Sequence, residues 1–205
     1  MLKALKTIRQ LRPNIGISRV KSILEQHEHD IQESLNFLDE DAIRYGKQLY
    51  MDKLQFREAN YGTVTLSGDD SQFIVHSTWS ETDFVAKTDN FQQLRQELGQ
   101  MLLNDIPVQD NLYKSMGYLK ELIKCKTEAQ EPLNGNTIQH YQHNDQELYL
   151  AITNKPIPDI ITKSLYAQGF NGQVIGSDTN PISSFFKEKD ISLVFSKTFN
   201  VKHGQ

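Results

Sequence analysis

The chain has 205 residues and one cysteine, Cys125, so it can close no internal disulfide and build no thiolate metal cluster. It has no apolar run near the roughly 18 residues that cross a bilayer and no secretory h-region, and it reads as soluble and intracellular with no membrane partner. The formal charge of −4 lacks the basic excess of a general nucleic-acid binder. Acids are missing ahead of Glu25, whereas Lys3, Lys6, Arg9, Arg12, Arg19 and Lys21 all precede it. A transit peptide or a membrane-surface helix is composed this way. Pro13 and Gly16 interrupt the stretch, however, and it is read here as the basic first helix of a small helical module. Also missing are the Gly-x-x-x-x-Gly-Lys-Ser/Thr phosphate loop, the Gly-x-Gly-x-x-Gly dinucleotide turn and the Gly-x-Ser-x-Gly elbow. Nucleotide hydrolysis, hydride transfer and acyl transfer by those routes are therefore not indicated. The chain is read as a non-enzyme that needs no cofactor.

The apolar spacing divides the chain. Over residues 1–50, Leu2, Leu5, Ile8 and Leu11 recur at helical intervals before Arg12-Pro13-Asn14, and proline biases its predecessor out of the helical region. Ile17, Val20, Ile23 and Leu24 form a second set, with Ser18 near its start. Asp30, with Glu33 three residues on, predicts the N-cap of a third helix striped by Ile31, Leu35 and Leu38. A connecting helix continues to about residue 57. The period then falls to two: Tyr61–Ser67 and Gln72–Thr78 flank the turn Gly68-Asp69-Asp70, which predicts a hairpin. Helices are expected from Thr88 to about Leu103 and over roughly 111–125. Strands are expected over Thr137–Gln142 and Glu147–Thr153, a helix from Ile157 to Phe170, a short helix opened by Asn180-Pro181-Ile182, and a closing strand from Ile191 to Val201. The fold class is α+β: a three-helix N-terminal module, residues 1–50, followed by an antiparallel-sheet-plus-helices core over 58–205.

Few residues advertise chemistry. His27 and His29, and His140 and His143, are spaced like metal ligands but lack a third and fourth partner, and are read as surface or capping histidines. Cys125 lies in an apolar helical pattern and reads as a small core residue. The segment Glu81-Thr82-Asp83-Phe84-Val85-Ala86-Lys87 is different. It is a loop joining the hairpin to the next helix, with Trp79 just before it. One reading tucks Phe84 and Val85 under the sheet and has Asp83 or Asp89 cap the helix. The other leaves an aromatic beside a carboxylate as an interface wedge.

Thr82-Asp83-Phe84-Val85-Ala86-Lys87, followed by Phe91, resembles the signature loop of the elongation factor Ts family. The head, with Gly16, Lys21-Ser22-Ile23-Leu24 and Asp30-Ile31, resembles that family's ubiquitin-associated-type (UBA-like) module. Glu58–Val64 is similar to its first strand, and Ser183–Lys189 with Ile191–Gly204 to its closing helix and strand. The chain departs where the family head carries a Thr-Gly-x-Gly-Met-type turn, having Arg12-Pro13-Asn14-Ile15-Gly16-Ile17, and where Asn-Cys precedes the loop, having Trp79-Ser80. The resemblance implies an exchange factor that promotes GDP release from the GTPase elongation factor Tu, without itself binding nucleotide or nucleic acid. It implies a partner-binding loop at Thr82, Asp83, Phe84, Val85, Ala86 and Lys87, which enters near the nucleotide's Mg²⁺. It also implies docking of the head at Arg12, Ile15, Gly16 and Ile17. A bacterial cytoplasm is the expected compartment and a mitochondrial matrix the alternative. The competing reading is a non-exchanging paralogue that serves as an interaction adaptor. The two separate at Phe84, which exchange requires at the surface and a passive scaffold buries.

Overall fold

A computed structural model of the protein describes residues 1–69, 71–176 and 181–201. Asp70 of the expected hairpin turn, Asn180 of the expected short-helix start and Gly204 of the closing segment lie outside the described residues.

Two compact units emerge: residues 1–60, 80–94 and 107–124 form the first, and 61–79, 95–106 and 125–205 the second. In the first unit, α1 (Leu2–Leu11), α2 (Ile17–Gln26) and α3 (Ile31–Asp52) pack as a small bundle. Its core is Ala4, Ile8, Val20, Ile23, Leu24, Leu35 and Leu38, with Ile15 and Phe37 packed at its edge. These are the stripes that helical spacing lays on one face of each helix. Asp30 caps α3 as expected, its carboxylate accepting from the Glu33 N–H at 2.8 Å. The third helix and the connecting helix prove to be one continuous helix of 22 residues, followed by a 3₁₀ turn at Leu54–Phe56.

The hairpin is β1 (Tyr61–Gly68) and β2 (Gln72–Ser80). The Asp69 carboxylate closes its turn by accepting from the Ser71 and Gln72 N–H groups at 2.7 and 3.0 Å. A helical turn α4 (Asp83–Ala86), then α5 (Asp89–Leu103) and α6 (Gln109–Leu119) follow. The helix expected over 111–125 therefore stops early. Lys120 adopts a left-handed conformation, φ +58°, and ends α6. Ile123 then opens β3 (Ile123–Pro132), so Cys125 lies in a strand and not in a helix. Burial pushes its thiol up. The first sheet has the order β1-β2-β3.

β4 (Thr137–Asn144), β5 (Glu147–Thr153), α7 (Asp159–Gln168), α8 (Ile182–Glu188) and β6 (Leu193–Asn200) complete the second unit. β5 is the centre of an antiparallel sheet, with Leu150 opposite His140 of β4 and Lys197 of β6. Its alternation feeds two cores. Leu148, Leu150 and Ile152 pack with Val64, Phe73 and Val75 of the first sheet, while Tyr149 and Ala151 face Ile161 and Leu165 of α7 and Ile182 and Phe186 of α8. This central strand is why a second half thin in apolar residues still builds a core. The mixed architecture, helices first and then antiparallel sheets with helices, is the expected α+β class.

Candidate functional site

The expected loop lies in the first unit, and one part of the expectation needs correction: Asp83–Ala86 is a helical turn and not irregular chain. Thr82 starts that turn, its hydroxyl oxygen accepting from the Val85 N–H at 3.3 Å. Thr88 starts the next helix by accepting from the Phe91 N–H at 3.2 Å, while its own hydroxyl donates to the Val85 carbonyl at 2.8 Å. One helical residue rotates its side chain about 100° from the next, so neighbouring apolar residues here take opposite fates. Val85 is buried, as is Phe91 at the start of α5, whereas Phe84 is 76% exposed. Asp83 and Lys87, one turn apart, are exposed and paired at 2.8 Å. The Lys87 ammonium holds the Asp83 carboxyl below the usual carboxylate range. Ala86 is half-buried.

This turn is fastened from behind by two carboxylates. Glu121, just past α6, accepts from the Thr82 hydroxyl at 2.8 Å and the Thr82 N–H at 3.2 Å. Glu81 accepts from the Leu122 N–H at 3.0 Å and from the Arg57 guanidinium at 2.9 Å. Ser80 closes the set by donating to the Thr82 carbonyl at 2.9 Å. An exposed phenylalanine and an exposed carboxylate thus sit on a held turn.

The head residues behave differently from one another. Arg12 is turned inward: it forks onto Asp39 of α3, Nε to Oδ1 at 2.8 Å and a terminal nitrogen to Oδ2 at 2.6 Å. The Tyr118 hydroxyl of α6 donates to the same carboxylate at 2.6 Å, and the Lys114 ammonium lies 3.6 Å away. Burial works to raise the Asp39 carboxyl, but the bonds from Arg12 and Tyr118 outweigh it and hold the group below the usual range. Arg12 therefore joins α1 to α3 and α6. Ile15 packs against the bundle core. Gly16 and Ile17 are exposed, Gly16 with nothing near the place a Cβ would take and Ile17 at 56% exposure. An open groove of about 330 Å³ runs past Ile15, Gly16 and Arg19, Tyr45 of α3, and Tyr118 and Lys120 at the end of α6.

Sequence reasoning missed Asp39, Glu121 and the tie made by Glu81. The sequence carries no local signal for Glu121, because its partner is 39 positions away. His140 and His143 lie exposed on β4, where the His143 ring meets Tyr141 and Tyr166. Among the described residues no group of three or more His, Cys, Asp or Glu side chains is placed to hold a metal ion, and no helix is long and apolar enough to cross a membrane.

Elongation factor Ts of Phytoplasma australiense is 26% identical over 208 aligned positions, covering 91% of this chain and 72% of that relative. Over nearly its whole length the chain is thus similar, at low identity, to elongation factor Ts. Elongation factor Ts of Mesomycoplasma hyopneumoniae strain J is 37% identical over 83 positions, which cover 40% of this chain and 26% of that relative. The same protein from strain 7448 matches to the same extent. No family model matches the chain.

Proposed function

We propose that this chain promotes GDP release from elongation factor Tu, with the Asp83–Phe84 turn as the element that enters the GTPase beside its nucleotide-bound Mg²⁺. The helical head, residues 1–50, supplies a second docking surface through Gly16 and Ile17, and Arg12 and Ile15 shape that surface from within. The observation that carries this reading is the contrast along one turn: Phe84 is 76% exposed while Val85, the next residue, is buried. Leaving a phenylalanine in water forgoes about 2 kcal/mol of burial. A held turn that does so is suited to burying it in a partner, where aromatics supply hot-spot area. Holding the turn in advance removes ordering entropy that a mobile loop would lose on docking.

The chemistry asked of the chain is modest. GDP is gripped by phosphate contacts and a shared cation, so a carboxylate and an aromatic pressed into the metal's surroundings weaken that grip. Linkage makes the effect mutual: GDP weakens binding of the exchange factor by the same factor that the factor weakens GDP. Each tenfold of coupling corresponds to about 1.4 kcal/mol. No covalent bond is made or broken, the nucleotide stays on the GTPase, and this chain requires no cofactor. The setting proposed is the bacterial cytoplasm.

Release of a fluorescent GDP analogue from elongation factor Tu tests the reading. The folded parent accelerates release, and Asp83→Ala and Phe84→Ala each remove most of that acceleration. A folded parent that leaves the rate unchanged overturns exchange and leaves an interaction adaptor.

A further inference from the structure

We infer that Glu121, working with Glu81, is a positioning residue for exchange: it presets the turn that carries Asp83 and Phe84. This inference rests on the exchange reading above. β2 and β3 are neighbours in their sheet, β2 ending at Ser80 and β3 starting at Ile123. Past those ends no backbone ladder remains to hold residues 81–82 against 121–122. Two side chains take over the ladder's work. The Glu81 carboxylate accepts from the backbone N–H of Leu122 at 3.0 Å, and the Glu121 carboxylate accepts from the backbone N–H of Thr82 at 3.2 Å. Each glutamate grips the residue beside the other, so the two connections are locked reciprocally.

Glu121 has a second grip that reaches the functional turn. The Thr82 hydroxyl spends its single proton on Glu121, at 2.8 Å, which aims its lone pairs at the Val85 N–H. The cap that starts α4 is therefore oriented by Glu121. Val85 in turn is the buried foot of the helical turn whose opposite face shows Phe84. Glu81 draws its countercharge from Arg57 at 2.9 Å, which offsets one of the two negative charges that make the lock. The left-handed Lys120 redirects the chain after α6 and delivers Glu121 to this place. Glutamine at 121 offers one acceptor oxygen and an amide that confronts the Thr82 N–H, so it supports only part of the lock.

The test uses the full chain and its Glu121→Gln and Glu121→Ala variants in two measurements. Backbone amide exchange is read at Thr82 and Val85, with Ala42 of α3 as a reference. GDP release from elongation factor Tu is read over a series of factor concentrations. In Glu121→Ala, Thr82 and Val85 exchange roughly tenfold faster while Ala42 keeps its rate. The maximal release rate falls roughly tenfold, with a shift below about threefold in the half-saturating concentration, and Glu121→Gln lies between. Unchanged amide exchange at Thr82, or a fully active Glu121→Ala, overturns the positioning role alone. Faster exchange at Ala42 in step with Thr82 also overturns it, because the residue then supports the unit and not the turn. A parent that does not accelerate release, with its amides protected as described, overturns the exchange reading itself.

Discussion

The crossing of α3 and α6 offers a perturbation whose sign separates two accounts of the same residue. Gly117 lies inside α6, where helix propensity alone favours alanine by about 1 kcal/mol. A Cβ there would overlap the backbone carbonyl oxygen of Ala42, and a Cβ on Gly46 of α3 would overlap the carbonyl oxygen of Tyr113. The two helices touch backbone to backbone, each using its glycine to accept the other. Neither obstacle can rotate away, because both are main-chain atoms, so Gly117→Ala must separate the helices. Overpacking of this kind costs about 1–3 kcal/mol, and backbone overlap places it at the upper end. The propensity gain offsets part of that, leaving a net loss of about 2 kcal/mol. In urea unfolding followed by circular dichroism, with a slope of roughly 2 kcal/mol per molar, the midpoint falls by about 1 M. Gly16→Ala serves as the control: nothing lies within 4 Å of its Cβ position, and its loss stays below about 1 kcal/mol. A Gly117→Ala midpoint equal to or above that of the parent would refute the close crossing.

Other consequences can be checked in the same preparations. Phe84→Ala should leave the unfolding free energy within about 0.5 kcal/mol of the parent while it slows assisted GDP release roughly thirtyfold, a hot-spot loss of about 2 kcal/mol; a stability loss well above about 0.5 kcal/mol would mean the ring is packed. Asp39→Asn removes the carboxylate shared by Arg12, Tyr118 and Lys114 and should cost about 1–3 kcal/mol, visible in the same unfolding curve; a neutral result would deny the cluster its role in joining α1, α3 and α6. The His76 Nε2–H on β2 donates to the Arg95 carbonyl at 3.0 Å, and burial, reinforced by the Arg95 charge, lowers the ring's pKa from 6.5 to about 4. The unfolded chain then takes the proton first on acidification, so stability is full above pH 6.5 and declines as the pH falls toward 4, by up to about 3 kcal/mol. Asp39, with its carboxyl held below 3.8, contributes its own loss only at still lower pH. His76→Gln should flatten the decline between pH 6.5 and 4, and an unchanged slope would assign it elsewhere.

The helical head was legible because burial there obeys one local rule: Ile8, Val20, Ile23, Leu24, Leu35 and Leu38 fall on faces that spacing alone identifies. The hairpin was legible through Asp69, whose carboxylate closes the turn it was read to make. The end of α6 was not. Leu119, Leu122 and Ile123 continue a helical spacing straight through Lys120, and a lysine at φ +58° gives none of the warning a glycine would. Beyond it, Ile123, Cys125 and Thr127 alternate with Lys124, Lys126 and Glu128, a period of two that the preceding helical run obscured. At the loop, sequence could locate Phe84 and Val85 without saying which of them faces water. That choice depends on the rotation of a single helical turn, and the rotation is set by Glu121 acting from 39 positions away.

One physical chain connects these parts of the first unit. Two glycines let α6 lie directly against α3, and the Asp39 cluster pins the pair together with α1. That fixes where α6 ends, and the left-handed Lys120 fixes the direction in which the backbone leaves it. Glu121 then meets Thr82, Thr82 caps the turn, and the turn buries Val85 while it leaves Phe84 in solvent. Each link is short and carries roughly 1–3 kcal/mol by itself. Their order makes a distinct demand on mutagenesis: changes at the crossing alter both stability and exchange, changes at Glu121 alter the turn and exchange, and changes at Phe84 alter exchange alone. A single loss of fold common to all three sites could not produce that graded pattern.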